Sequence, residues 1–390
     1  MTGPKRTDEL ADAAAAWLAR LIRIPSVNPT NAGPRSGEPG EAALSAALGG
    51  WLEDLGASWV EVADTPEPGR PNVYAFFEGS TDAWIAQDTH LDTVAVEHMT
   101  GDPFSGELRD GRVWGRGAVD TKGALASMLA VLERFQADGV RPTANLLVVG
   151  TVGEEAAGLL GACAFRDWLT AKGVVLAELL VSEPTSCAPV FGHKGGLGLH
   201  FTVHGKAGHS SRPEQASNAI YGAARLVALL EAEHDRLQAG PATTEVGKGS
   251  VAVTMIDGGH SRNIIPDTCT VYAGRRLVPG EEPGEVAKEL TNRLLPRVSM
   301  PVTVEQSLGW RAVYRPPDSP LCTSIAKWSG HAPDISTLGT NAFVYGDIAE
   351  QLVVFGPGAV EQAHAAEEWC EVTELGLAAR VYDSWLRRPR

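Results

Sequence analysis

The chain has 390 residues, more than one hydrophobic core usually holds, so two domains are expected. It is 44% hydrophobic and 21% charged, as a soluble globular protein is, and its formal net charge is −15. No basic face outweighs that charge, which argues against nucleic acid or an anionic membrane as partner while leaving room for local Arg and Lys in a cleft.

Thr7 can cap a first helix whose opening turn carries Asp8 and Glu9. Its apolar stripe of Leu10, Ala14, Trp17, Leu18, Leu21 and Ile22 is closed by Pro25. The acidic residues precede any long apolar run, so no secretory signal is visible, and no uncharged apolar stretch reaches spanning length. Five scattered cysteines (Cys163, Cys187, Cys269, Cys322, Cys370) lack CxxC spacing, which fits reduced thiols of a cytoplasmic protein. Residues 26–40, rich in Pro, Gly, Asn and Ser, read as loop, and a second amphipathic helix follows to about Leu55. Residues 72–77 and 83–87 read as strands.

The second of these strands delivers His90 and Asp92. An extended backbone puts the two on one side. A carboxylate behind an imidazole fixes its tautomer, as around a metal-bound histidine, although a lone His-x-Asp is more often an ordinary hydrogen-bonded pair. The glycine-flanked run 115–123 then feeds a helix with apolar positions Leu125, Met128, Leu129, Leu132 and Phe135. Asp120 at that start reads as an N-cap or, kept ionised by the helix N-terminus, as a metal ligand. Residues 146–149 are continuously apolar, as in a strand buried on both faces, and run into Glu154 and Glu155. Two such neighbours either open the next helix as a solvated pair or need a cation or a shared proton. Residues 176–181 form another buried strand ending at Glu183, which Pro184 keeps out of the helical region.

The middle of the chain has a different rhythm. Strand 197–204, helix 217–233, strands 250–256 and 268–274, helix 284–295 and strand 301–305 give βαββαβ, the ferredoxin-like split-βαβ order of a small α+β domain. It interrupts an outer α/β domain, so the expected division is 1–192 and 310–390 around an insertion at 193–309. A last apolar strand at 351–355 breaks at Gly356-Pro357-Gly358 and leads to His364, which alone reads as a surface histidine. Taken together, His90, the Glu154/Glu155 pair, Glu183 and His364 all follow apolar strands. In an open α/β sheet, ligands bind at the carboxyl ends of strands near a switch in strand order, so one convergent site is expected. Two imidazoles with several carboxylates and no thiolate suit Zn²⁺ or Co²⁺, and two ions need a bridging carboxylate, for which Asp120 is the candidate.

Eight segments carry a resemblance: HLDTV at 90–94, GRGAVDTKG at 115–123, GEEAAG at 153–158, SEPTS at 182–186, GKAGHSSRP at 205–213, NAI at 218–220, RNIIPD at 262–267 and GPGAVEQAH at 356–364. In order, spacing and layout the chain resembles metallopeptidase family 20, which includes aminoacylase, acetylornithine deacetylase, succinyl-diaminopimelate desuccinylase and carboxypeptidase G. The resemblance implies a zinc-exopeptidase-like α/β catalytic domain with a mostly parallel sheet, interrupted by a lid and dimerisation domain. It implies two divalent ions, zinc foremost with cobalt or manganese as alternatives: His90 and Glu183 on one, Glu155 and His364 on the other, and Asp120 between them. Asp92 then buttresses His90, and Glu154 is the general base for a water bridging the ions. A cis peptide is implied at Asp120–Thr121. In the insertion, His209 matches a histidine that stabilises the tetrahedral oxyanion, usually in the partner subunit's site, and Asn263 and Arg276 match substrate-carboxylate positions. Arg275 is adjacent, and the family's usual Asp two residues before the arginine is Gly274 here. The implied activity is hydrolysis of an N-acyl-amino acid, acetylornithine-deacetylase-like, by a homodimer. A dipeptidase or carboxypeptidase with the same machinery is the alternative. A binding protein without catalysis would lack a ligand or the base, and none is missing.

Overall fold

The structure, a computed structural model, describes residues 8–155 and 158–390, so the Thr7 cap and Ala156–Ala157 lie outside the described residues. The chain divides into two compact units: residues 8–155, 158–191, 315–334 and 340–390 form one, and Gly192–Tyr314 with Ile335–Gly339 form the other.

The larger unit is built on a sheet whose strands lie in the order Trp59–Ala63, Asn72–Phe77, Ala144–Thr151, Thr81–His90, Leu176–Val181, Ala349–Val354. The first two pairings are antiparallel and the next three parallel. Thr81–His90 therefore lies between the two strands that follow it in sequence. This is the switch in strand order at which an open sheet leaves a crevice beyond its carboxyl edge. Register carries the four parallel ends to one level: His90 faces Thr151, Asp88 faces Val181, and Val181 faces Val354. Leu146 to Val149 are fully buried, as a strand covered on both faces requires.

Helix Glu9–Ile22 starts at Asp8, whose side chain accepts from the Ala11 N–H. It packs with helices Lys122–Asp138 and Val372–Leu386. Strand 83–87 extends to Thr81–His90 because Gln87, Asp88 and Thr89, polar in sequence, are buried with hydrogen-bond partners. No element was expected at Trp59–Ala63, at helices Pro320–Ser329 and Val372–Leu386, or at the small sheet of Glu107–Arg109, Arg112–Trp114 and Trp369–Glu371. Two of that sheet's strands are three-residue neighbours in sequence and the third comes from 255 residues later, too little periodicity to read. All five cysteines are free thiols. Among the described residues no helix is long and apolar enough to cross a membrane.

The second unit has strands Gly195–His204, Ser250–Gly258, Thr268–Leu277 and Val302–Trp310 with helices Ala219–Ala239 and Pro283–Leu294, in the βαββαβ order. Its antiparallel sheet runs Ser250–Gly258, Thr268–Leu277, Gly195–His204, Val302–Trp310. Leu199, Phe201, Val203, Leu226, Leu230 and Val271 form the core between sheet and helices. Here β-periodicity and an amphipathic helix agree at every step, and the elements differ from expectation mainly at their ends.

Candidate metal centre

His90 closes its strand, and its ring is buried. Its Nδ1 lies 3.0 Å from the carbonyl oxygen of Asp92 and 3.6 Å from the Asp92 carboxylate. Nδ1 therefore carries the proton in the neutral ring, which leaves the Nε2 lone pair pointing the other way. Nε2 lies 2.9 Å from Oδ1 of Asp120.

Asp120 does not cap the following helix: Thr121 occupies that place, and the Asp120–Thr121 peptide is cis. The Thr121 hydroxyl donates to the His90 carbonyl, which ties the helix start to the strand end. Released from capping, the Asp120 carboxylate turns into the crevice. Its Oδ2 lies 3.2 Å from Nε2 of His364, whose loop takes a left-handed φ of 60°. His364 Nε2 is also 3.1 Å from Oε2 of Glu155. Each oxygen of one carboxylate thus faces a different imidazole.

The Glu154–Glu155 pair does not open a helix either, since the next one begins at Leu160. It sits on a turn held by Asp92: Glu154 N–H donates to Oδ1 at 3.1 Å and Glu155 N–H to Oδ2 at 3.0 Å. The side-chain amide of Asn28 donates to Oδ2 at 2.8 Å. Because the strand ends at His90, the Asp92 carboxylate addresses this loop first and the His90 ring second. Glu183 is buried at the end of its strand, where Gly356 passes so close that an added Cβ would stand 2.6 Å from the Glu183 carbonyl oxygen.

Charge crowds this site. Burial, with neighbouring carboxylates, pushes Glu154 up to about 8, Glu155 up to about 7 and Glu183 well above the usual carboxylate range. Burial also opposes ionisation of Asp120, but bonds from His364 and His90 outweigh it and hold Asp120 below its ordinary value. The same bonds from Asp120 and Glu155 push His364 up to about 10. The two imidazolium charges balance the carboxylates here, a role divalent cations fill better.

The donor set fits such ions. The ligand atoms of His90, Asp120 and Glu155 lie within 4.8 Å of one another. The 2.9–3.2 Å contacts approach the roughly 3.3 Å between two ligands of one tetrahedral ion bound at about 2.0–2.1 Å. Nitrogen and oxygen donors without thiolate suit zinc and its neighbours.

In the second unit, His209 is exposed on the short strand Gly208–His209, paired with Ile264–Ile265. The Ser211 N–H donates to its Nδ1, so Nε2 carries the hydrogen and faces outward as a donor. It borders an open hollow of about 590 Å³ with Lys206, Ser211 and Arg212. Asn263 is adjacent, its carbonyl accepting from the Ser210 N–H. Arg276 is exposed on the long strand opposite Gly196, while Arg275 is buried and paired with Glu281 at 2.6 Å.

The sequence reading missed Asn28, Arg116 and Glu368. Asn28 lies in a loop with no periodic signal. Arg116 lies inside the 115–123 segment and Glu368 just past the 356–364 segment, and only their full burial singles them out.

Comparison with known proteins places the chain among metallopeptidases. Residues 191–297 match the model of a peptidase dimerisation domain, and residues 72–187 match that of peptidase family M28. The chain is 33% identical over 313 residues to an acetylornithine deacetylase of Myxococcus xanthus, covering 76% of this chain and 78% of the relative. It is 30% identical to a succinyl-diaminopimelate desuccinylase of Methylorubrum extorquens, covering 95% and 93%. A Bacillus subtilis structure described as a dinuclear metal binding peptidase from the M20 family superposes with a TM-score of 0.69 at 15% identity, covering 97% of each chain.

Proposed function

The chain belongs to metallopeptidase family 20 and is a metal-dependent hydrolase of linear amide or peptide bonds, and on that footing we propose that it cleaves an N-acyl-amino acid in the manner of an acetylornithine deacetylase. The observation that carries the proposal is the Asp120 carboxylate, whose two oxygens face His90 and His364 separately. In this reading His90 and Glu183 hold one divalent ion, Glu155 and His364 hold the other, and Asp120 is shared. Zinc is the first expectation, with cobalt or manganese as alternatives. When bound, two such ions polarise the amide carbonyl and acidify water.

The rest is done by the chain. Glu154 takes a proton from water and passes it to the departing amine nitrogen. Asp92 holds the Glu154 loop through the backbone and keeps the His90 proton on Nδ1, which makes it a positioning residue. His209, with hydrogen on Nε2, donates to the oxyanion that develops on the substrate carbonyl. Arg276 takes the substrate carboxylate with Asn263. Arg275 is already committed to Glu281, and a planar guanidinium suits a bidentate carboxylate. We place the enzyme in the cytoplasm as a homodimer associating through its inserted unit, which the dimerisation-domain match supports.

The test is a hydrolysis panel of N-acetyl and N-succinyl amino acids and dipeptides, run on apo-protein reloaded with Zn²⁺, Co²⁺ or Mn²⁺. Ion-dependent release of a free amino acid from an N-acyl substrate is expected. Preference for dipeptides would move the assignment to the peptidase branch. Stoichiometric ion uptake without hydrolysis of anything in the panel would refute the catalytic reading.

A further inference from the structure

The Asp120 loop and the His364 loop are far apart in sequence, and each supplies donors to the cluster. What joins them is an ion pair outside the ligand set. Arg116 and Glu368 are 1% exposed or less, and Arg116 Nη1 lies 2.5 Å from Glu368 Oε2. The other Glu368 oxygen accepts from the Val119 N–H at 3.0 Å and the Asp120 N–H at 3.4 Å. Arg116 Nη2 donates to the carbonyls of Ala95 at 3.1 Å and Ala365 at 3.3 Å. One pair therefore grips the loop after His90, the backbone that carries Asp120, and the residue after His364.

Backbone bonds run beside it: Gly115 N–H donates to the Glu368 carbonyl and Thr100 N–H to that of Ala366. His98 Nε2, 3.0 Å from the His364 carbonyl, donates there, which requires hydrogen on Nε2. A buried ion pair contributes little net stability, because desolvation offsets its attraction, so its effect here lies in geometry. His364 needs that support. Its side chain is 54% exposed, it sits on an irregular loop, and its left-handed backbone is one a non-glycine residue seldom adopts. His90, by contrast, ends a strand paired on both sides.

We infer that the Arg116–Glu368 pair is a positioning device that holds His364 in register with Asp120 and thereby sets the affinity of the metal position that uses His364, leaving the His90 position largely independent. The inference rests on the two-ion reading. Outer partners of this kind typically change metal affinity by about 10- to 100-fold.

The experiment is a Co²⁺ titration of metal-free full-length protein, followed by calorimetry and visible absorption, for the parent, Glu368→Gln and Arg116→Lys. Gln keeps the shape of Glu368 but turns either its oxygen or its amino group away from a needed partner. Lys keeps a buried cation beside Glu368 but offers one nitrogen where Arg116 uses Nη1 for Glu368 and Nη2 for the two carbonyls. In the parent, two ions are expected. In each folded variant the first ion should bind within about threefold of the parent, and the second about 10- to 100-fold more weakly. The kcat should fall and recover with excess metal while KM holds. Arg116→Lys, which leaves no uncompensated buried charge, keeps the question open to measurement should Glu368→Gln not fold. Parental affinity for both ions, or equal weakening of both, overturns the positioning role. A parent that takes up no second ion overturns the two-ion reading itself, before any variant is compared.

Discussion

Asp92→Asn is the sharpest probe of how the site is held together. The Asp92 carboxylate is fully buried and accepts from Asn28, Glu154 and Glu155, with the His90 ring beside it. An amide of the same shape has one accepting oxygen. If its NH₂ took the place of Oδ2 it would confront two donors, Asn28 Nδ2 and Glu155 N. In the place of Oδ1 it loses one hydrogen bond, that from the Glu154 N–H, with the His90 Nδ1 farther off at 3.6 Å, so that orientation wins and the Glu154 bond is the one lost. A hydrogen bond to a charged acceptor is worth about 1.5–3 kcal/mol, which corresponds to about 10- to 150-fold in the population of the correctly held loop. The expected result is a kcat lowered by about that factor, with two ions still bound, because the Glu155 bond survives. Asp92→Ala is less informative, since it orphans three buried donors at about 1–3 kcal/mol each and endangers the fold. The assay is steady-state kinetics beside metal content on the same preparations. A kcat within twofold of the parent would show that Asp92 does not hold the Glu154 loop.

Other outcomes follow from the same geometry. Glu154→Gln should abolish turnover while metal content stays near the parent's; retained activity would reassign the base. For the metal-free protein, Glu154 and Glu155 are raised to about 8 and about 7, so the folded state binds more protons than the unfolded one above about pH 4.5. Stability from these groups is present at low pH and is lost as pH rises through 7 to 8. The His364 contribution is lost in turn as pH passes about 10. Bound cations should flatten that decline, and thermal melts from pH 5 to 9 with and without Zn²⁺ would show it; parallel curves would argue against ions at these carboxylates. Arg276→Lys should raise KM for an N-acyl-amino acid with kcat little changed, and an unchanged KM would remove Arg276 from the substrate site. Glu178→Ala should cost about 3–5 kcal/mol in denaturant unfolding. Buried Glu178 accepts from Trp385, Arg388 and Arg390, and its loss would leave the indole N–H and the two arginine charges without it. A loss under 1 kcal/mol would mean that these contacts do not anchor the chain's end.

The donor inventory was legible in the chain because a polar residue that ends an apolar run marks a strand's mouth, and this happens at His90, Glu154, Glu183 and before His364. The same periodicity gave the βαββαβ insertion, whose strand Thr268–Leu277 alternates between buried and more exposed positions. It failed where burial depends on partners instead of composition: at Asp88 and Thr89, polar yet buried, and in the three-residue strands of the small sheet. It also left Asp120 and Glu154 open between a helix start and a ligand or base, since a local pattern cannot tell a cap from a side chain turned into a crevice.

Sequence alone determined which side chains are available as ligands and that a βαββαβ segment interrupts the α/β domain. Tertiary structure decided which of them meet. Only the strand order, with Thr81–His90 set between its two successors, brings the ends to one edge and lets Asp120 face two imidazoles. Arg116 and Glu368, 252 residues apart, meet for the same reason. Such pairings are set by long-range packing, which leaves no trace in the spacing of neighbouring residues.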